Sequence, residues 1–125
     1  MLGGGFGGIH AAIHLEKTYG ANPNVQITLV SRDNFFLFTP MLHEVAASDL
    51  DITHIVSPIR TLLRRSTVFI GDVESIDLRR RSVTVAHGFE RHRHQLDYDQ
   101  LVVSLGSISQ NPYATHSIQR LRVCG

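Results

Sequence analysis

A glycine pattern at the start of the chain is the strongest candidate for a ligand site. Gly3, Gly5 and Gly8 form a G-x-G-x-x-G pattern. In a strand–turn–helix unit, the first glycine permits a tight turn, the second lets the backbone approach a pyrophosphate, and the third lets the helix pack against the sheet. The N-terminus of that helix would face the phosphates. The pattern predicts dinucleotide binding, with a purely structural glycine turn as the alternative.

A ribose contact is expected about 20 residues further on, where an acidic residue usually ends the second strand. That position holds Ser31, which can make a hydrogen bond but lacks the negative charge. Arg32 follows, and it either favours a 2′-phosphate or is a solvated surface charge. We expect Asp33 to cap a loop. The sequence leaves the ribose contact open.

Three histidines and a cluster of phenylalanines are further candidates. His87, His92 and His94 lie with Glu90 near a predicted hairpin. His92 and His94 would share one face of a strand, but no third metal ligand has suitable spacing relative to this pair. A solvated turn is therefore favoured over a metal site. The phenylalanine cluster consists of Phe35, Phe36 and Phe38. These side chains either pack in the core or contact a ligand ring directly.

The elements that must position these residues alternate between helix and strand. Apolar residues at helical spacing predict a helix over residues 7–18, which Gly20 would end in a left-handed cap. β-Branched residues predict a strand over 25–30, and residues 31–40 are interpreted as irregular. The later predictions are a short helix over 41–47, a helix from Ser57 as N-cap to about residue 65, a strand over 67–70 and a final buried strand over 101–105.

Between these elements, residues 73–77, 82–87 and 91–96 predict a small antiparallel meander, with turns at 78–81 and 87–88. The alternation of helices with apolar strands predicts an α/β class, a Rossmann-like domain whose parallel sheet is covered by helices. The strand that should precede Gly3 is reduced to Met1 and Leu2. We therefore expect the domain to be truncated at its first strand and at its C-terminus.

Composition excludes several classes of protein. The chain has 125 residues, 12 basic against 11 acidic side chains and 42% hydrophobic residues, which is typical of one ordinary globular domain. A net charge of +1 gives no reason to expect nucleic-acid binding. The single cysteine, Cys124, excludes a disulfide framework and a Cys-x-x-Cys pair. No apolar run approaches the ~18 residues of a membrane span. We expect a cytoplasmic chain, with peripheral membrane attachment left open.

Beyond these patterns, the chain resembles type II NADH dehydrogenases, which are peripheral-membrane flavoenzymes with two dinucleotide-binding domains. The resemblance covers about residues 1–109. It rests on the glycine run, on the segment FLFTP at residues 36–40 and on the segment YDxLVxxLGS at residues 98–107. The two later segments are far more specific than the glycines alone.

The resemblance implies that residues 1–109 form a partial FAD-binding domain and that residues 110–125 are an unassigned tail. It implies a pyrophosphate site in the glycine turn, formed by Gly3, Gly5, Phe6, Gly7 and Gly8. The adenosine ribose would lie at Ser31 and Arg32, and the adenine at the backbone of Val73. Thr39 and Pro40 would lie near the flavin ring, and Gly106 would lie where the last strand passes the cofactor.

The reaction implied by the resemblance is hydride transfer from NADH to FAD, followed by electron transfer to a quinone at the inner face of the cell membrane. A second glycine motif for NADH and a quinone-binding segment are not found in this sequence, so we expect the chain alone to be inactive. The alternatives are another FAD-dependent pyridine-nucleotide reductase of the same superfamily and a non-enzymatic flavin-binding remnant.

Overall fold

The computed structural model describes residues 1–47, 51, 55–88, 90–106 and 122–124. The described helices are α1 (Phe6–Tyr19), α2 (Leu42–Ala46) and α3 (Ile59–Leu62), with a 3₁₀ turn over Thr39–Met41. The described strands are β1 (Thr28–Ser31), β2 (Phe35–Leu37), β3 (Val56–Pro58), β4 (Thr67–Ile70), β5 (Asp72–Asp77), β6 (Ser82–His87), β7 (His92–Asp97) and β8 (Arg122–Cys124).

A parallel sheet forms the centre of the fold. Strand β1 pairs in parallel with β4, in a register that places Ser31 opposite Ile70. On the other side of β1, Leu2 forms parallel bridges to both Val30 and Val103. Leu2 is only 2% exposed, so it occupies the central place that the sequence assigns to the first strand. The predicted α/β class with a parallel sheet is confirmed.

Helix α1 covers one face of this sheet. Its buried residues Ile9 and Ala12 pack in a cluster with Leu29 of β1. The same cluster contains Phe36 of β2 and Ile59 of α3. The helix exceeds its predicted span by one residue at each end. The predicted left-handed cap is wrong, because Gly20 has a φ of −64° and its N–H donates to the carbonyl of Glu16 at 2.9 Å. This bond continues the helical pattern, so the chain needs no left-handed residue at this point.

The segment after β1 is more regular than predicted. Strand β2 pairs antiparallel with β3, and Phe36 lies opposite Ser57. The predicted N-cap at Ser57 is therefore wrong, and α3 begins at Ile59 and ends at Leu62 instead of near residue 65. The reason is local: a residue before proline is pushed out of the helical region into extended backbone, which suits Ser57 to a strand.

The predicted meander is confirmed, with strand bounds that differ by one residue. Strand β6 lies between β5 and β7, and both pairings are antiparallel. Val83 and Val85 of β6 form a second buried cluster with Leu2 and Val30 of the parallel sheet. In the segment expected to be an unassigned tail, β8 pairs in parallel with β5.

The final strand is less complete than predicted. Residues 101–105 contribute a single bridge at Val103. The prediction that this strand is buried is wrong, because Val103 is 56% exposed and Leu105 is 40% exposed. Side chains project from the faces of a sheet, and the described residues leave those of Val103 and Leu105 largely uncovered.

Candidate functional site

A cavity of about 680 Å³ opens at the carboxyl ends of the parallel strands. Its wall consists of the glycine turn at residues 3–6, the end of β1 with the segment after it, and the strand ends at Gly71, Val73 and residues 104–106. Ligands of open α/β sheets bind at this edge of the sheet. The position and size of the cavity are those expected of a cofactor site, for which about 300–1,000 Å³ is typical.

The three glycines of the motif differ in the space around them. Gly3 has a φ of +104°, and a Cβ atom there would overlap the carbonyl of Ser104. A Cβ at Gly8 would overlap the carbonyl oxygen of Gly3 and would lie 2.7 Å from the Ser104 hydroxyl. A Cβ at Gly5 would meet no atom within 4 Å. Gly3 and Gly8 therefore permit close backbone packing, whereas Gly5 leaves space in the cavity wall.

The N-terminus of helix α1 adjoins the cavity at Gly5 and Phe6. Gly5 is the N-cap residue, so no side chain caps the helix, and its first turn contains no acidic residue. The first N–H groups of an α-helix have no partner within the helix, and they carry the positive end of the helix dipole. The arrangement offers several hydrogen-bond donors to a phosphate group.

The other end of the cavity lies at the end of β1. Ser31 is only 5% exposed, and its hydroxyl lies against Gly4, where a Cβ atom would overlap it. Arg32 lines the cavity, but its Nε atom forms an ion pair with Asp72 at 2.7 Å. Asp33 also lines the cavity. Its carboxylate caps no loop within the described residues, so the expected role as a loop cap is wrong.

The phenylalanines divide between the two interpretations left open by the sequence. Phe38 packs against the buried cluster beneath α1, and Phe36 belongs to that cluster while also reaching the cavity wall. Phe35 is 41% exposed and lines the cavity. Phe6 places its ring 4.4 Å from that of His10 and 5.7 Å from that of Phe38. An aromatic wall thus borders the cavity beside the helix N-terminus.

The structure brings most of the predicted site residues to one cavity. Those that line it are Gly3, Gly5, Phe6, Ser31, Arg32, Thr39, Val73 and Gly106. Gly7, Gly8 and Pro40 do not line it, and their contact with a ligand stays a prediction. Sequence reasoning missed Gly4, Gly71 and Ser104. Gly4 carried a signal, because it lies inside the motif, and so did Gly71, because it lies in the segment Gly71–Val73 that contributes to the family resemblance.

The histidines near the meander make contacts of another kind. His92 pairs with Glu90 at 3.0 Å, and the Nδ1 atom of His87 lies 2.6 Å from the carbonyl oxygen of Ile70. Within the part of the chain that the structure describes, no group of three or more side chains could hold a metal ion. None of the described helices combines the length and apolarity needed to cross a membrane.

Fold and cavity first define a class: this is an α/β domain of the dinucleotide-binding type. The sequence profile of the pyridine nucleotide-disulphide oxidoreductase family matches residues 1–124. The chain belongs to this family.

The relatives of the chain include quinone-linked enzymes. It is 34% identical over 110 residues to "Type II NADH:quinone oxidoreductase Ndh" of Mycobacterium tuberculosis, covering 86% of this chain and 22% of that protein. The resemblance to type II NADH dehydrogenases is thereby confirmed. The chain spans about a quarter of the length of the curated relatives it matches.

Two solved structures share its fold. The sulfide:quinone oxidoreductase of Aquifex aeolicus has a TM-score of 0.69 and 28% identity, covering 84% of this chain and 23% of that chain. NDH2 of Plasmodium falciparum, solved in complex with NADH, has a TM-score of 0.77 and 21% identity, covering 90% of this chain and 23% of that chain. The second likeness concerns the fold alone.

Proposed function

We propose that this chain is the FAD-binding part of a flavin-dependent oxidoreductase that passes electrons from NADH through FAD to a quinone. The observation that carries the proposal is the cavity between the glycine turn, the uncapped helix N-terminus and the end of β1. The likeness to a type II NADH:quinone oxidoreductase supports the choice of electron donor and acceptor. In this proposal residues 1–109 form the FAD-binding domain, and residues 110–125 have no assigned role.

The residues of the cavity fit an elongated dinucleotide. Gly5 leaves space for the pyrophosphate, and the first turn of α1 supplies N–H donors, with Gly7 and Gly8 following within that turn. Ser31 and Arg32 lie at the ribose end of the cavity.

The remaining contacts follow the course of the strands. The backbone of Val73 would meet the adenine, Thr39 and Pro40 would lie near the flavin ring, and Gly106 would adjoin the cofactor at the end of the sheet. FAD itself would accept the hydride from NADH and pass electrons on, while the protein binds and orients it.

The proposal assigns NADH and quinone binding to parts of an enzyme outside this chain. It also includes peripheral association with the inner, cytoplasmic face of the cell membrane. We therefore expect the 125-residue chain to bind FAD without oxidising NADH. A dye-reduction assay with added FAD tests this, and clear NADH-dependent turnover by the chain alone would contradict the expected inactivity.

FAD binding is tested with Gly5→Val, which adds bulk in the cavity wall where a Cβ atom meets nothing within 4 Å. We expect the fold to persist and the affinity for FAD, measured by quenching of flavin fluorescence, to fall by at least about tenfold. The matched control is Ala21→Val, an exposed position in the turn after α1. A wild-type chain that does not bind FAD would refute the proposal, and it would favour a non-functional remnant. Unchanged affinity in Gly5→Val would remove the glycine turn from the site.

A further inference from the structure

We propose that Asp33 is the carboxylate that binds the adenosine ribose of the cofactor, in place of the acidic residue that the motif expects at position 31. This inference rests on the proposed FAD-binding function and deepens it. It predicts that the cavity prefers nucleotides whose ribose carries no 2′-phosphate.

Ser31 is poorly suited to hold the ribose alone. Its side chain is buried, and its hydroxyl lies against Gly4 in the glycine turn. A hydroxyl at this position fits the narrow space between the turn and the strand end. It offers a single polar atom, whereas the two adjacent hydroxyls of a ribose present two donors. A second acceptor is needed to satisfy both.

The charges at this end of the cavity point to Asp33 as that acceptor. Among the described residues that line the cavity, Asp33 is the one carboxylate and Arg32 is the one cation. The guanidinium of Arg32 is bound by Asp72 of the neighbouring strand β5 at 2.7 Å. Within the described residues, the Asp33 carboxylate has neither a hydrogen bond nor an ion pair. It is therefore available to a ligand, whereas the charge of Arg32 is compensated.

This arrangement has a chemical consequence for selectivity. A carboxylate accepts hydrogen bonds from the 2′- and 3′-hydroxyls of a ribose, and such charged bonds are stronger than neutral ones. The same carboxylate repels a 2′-phosphate, and the neighbouring cation, Arg32, is already paired with Asp72. The cavity should therefore select FAD, ADP and similar nucleotides with an unmodified ribose.

The test compares ADP with 2′-deoxy-ADP as competitors of FAD, in the wild-type chain and in Asp33→Asn. We expect the wild type to prefer ADP by about tenfold, which corresponds to one hydrogen bond to a charged group. In Asp33→Asn this preference should shrink to about twofold or less, and FAD affinity should fall by about tenfold. The matched control is Asp97→Asn, an exposed carboxylate on β7 outside the cavity, which should change neither value.

The outcomes separate this inference from the proposed function. If wild type and variant both fail to bind FAD, the proposed function and the Asp33 assignment fall together. If Asp33→Asn binds FAD as the wild type does and keeps the preference for ADP, the assignment of Asp33 alone is overturned. A variant that loses FAD affinity but keeps the preference shows a structural role, which also overturns it. Should Asp33→Asn not fold, Asp33→Ser serves for the same comparison.

Discussion

The glycine turn and the meander are stabilised in opposite ways. In the turn, the backbone packs so closely that Gly3 and Gly8 leave no room for a Cβ atom. In the meander, strands β5, β6 and β7 are held by buried side chains, of which Val85 is fully buried. The turn thus depends on the absence of side chains, whereas the meander depends on their presence. Both regions meet at Leu2 and Val30, so each supports the same sheet.

The two regions also treat charge differently. The first turn of α1 has no acidic residue and no side-chain cap, so its N–H groups remain available to an anion. On the meander, the carboxylate of Glu74 is bound by Arg91 at 2.9 Å and by Arg93 at 2.8 Å. The charge of Glu74 is thus paired within the meander, whereas the N–H groups at the start of α1 have no side-chain partner.

The largest expected effect comes from adding one methyl group to the turn. In Gly8→Ala the new Cβ atom would overlap the carbonyl oxygen of Gly3, which is backbone and cannot rotate away. We expect the free energy of unfolding to fall by about 3 kcal/mol, at the upper end of ordinary overpacking costs. Urea denaturation followed by circular dichroism measures this change.

The neighbouring residue is the matched control for that prediction. A Cβ atom at Gly7 would meet nothing within 4 Å, and Gly7 lies in the same helix. Because alanine favours helix over glycine, Gly7→Ala should raise the free energy of unfolding by about 0.5 kcal/mol. Equal effects of the two substitutions would contradict the distinction between Gly8, which has no room for a Cβ atom, and Gly7, which has room for one.

A smaller effect is expected in the meander. Val85→Ala removes two methyl groups from a fully buried position and should lower the free energy of unfolding by about 2 kcal/mol. Since Val85 does not line the cavity, FAD affinity of the folded variant should match that of the wild type. Val123→Ala, at a position 57% exposed, is the control and should change stability by less than about 0.5 kcal/mol. A large loss of FAD affinity in folded Val85→Ala would mean that the two regions are not separable.

Regular periodicity decides which parts of the fold the sequence predicts. The meander and α1 follow from regular periodicity, and their predicted bounds agree with the structure to within one residue. The β2–β3 pairing was missed, because Phe35–Leu37 shows no alternation and its partner strand lies about 20 residues away. Such pairing is a tertiary contact that local patterns do not encode.

The candidate site shows the same limit. The roles of Gly3 and Gly8 follow from the motif, because backbone crowding is inherent to a strand–turn–helix unit. The availability of Asp33 does not follow, since it depends on Arg32 being bound by Asp72, which lies 40 positions further along the chain. Sequence spacing predicts where a ribose acid should be, whereas only the fold shows that the Asp33 carboxylate at the cavity has no partner among the described residues.

The smallest expected effect concerns pH and tests the charge pairing of the meander. The hydrogen bond from Arg93 lowers the pKa of Glu74, and the bond from Arg91 adds to this shift. A carboxylate whose pKa is lowered by folding stabilises the native state above the ordinary glutamate pKa of roughly 4.3, and this stabilisation is lost as the pH falls through the lowered value.

Glu74→Gln should therefore reduce the melting temperature slightly at pH 7, and the difference from the wild type should shrink as the pH falls below the ordinary glutamate pKa. Melting curves recorded at several pH values measure this convergence. Glu90→Gln is the control, because Glu90 is more exposed and pairs with a histidine instead of two arginines. Surface ion pairs contribute little, so the expected difference is small. A difference that does not shrink as the pH falls below the ordinary glutamate pKa would show that Glu74 stabilises the meander through packing of its side chain and not through its charge.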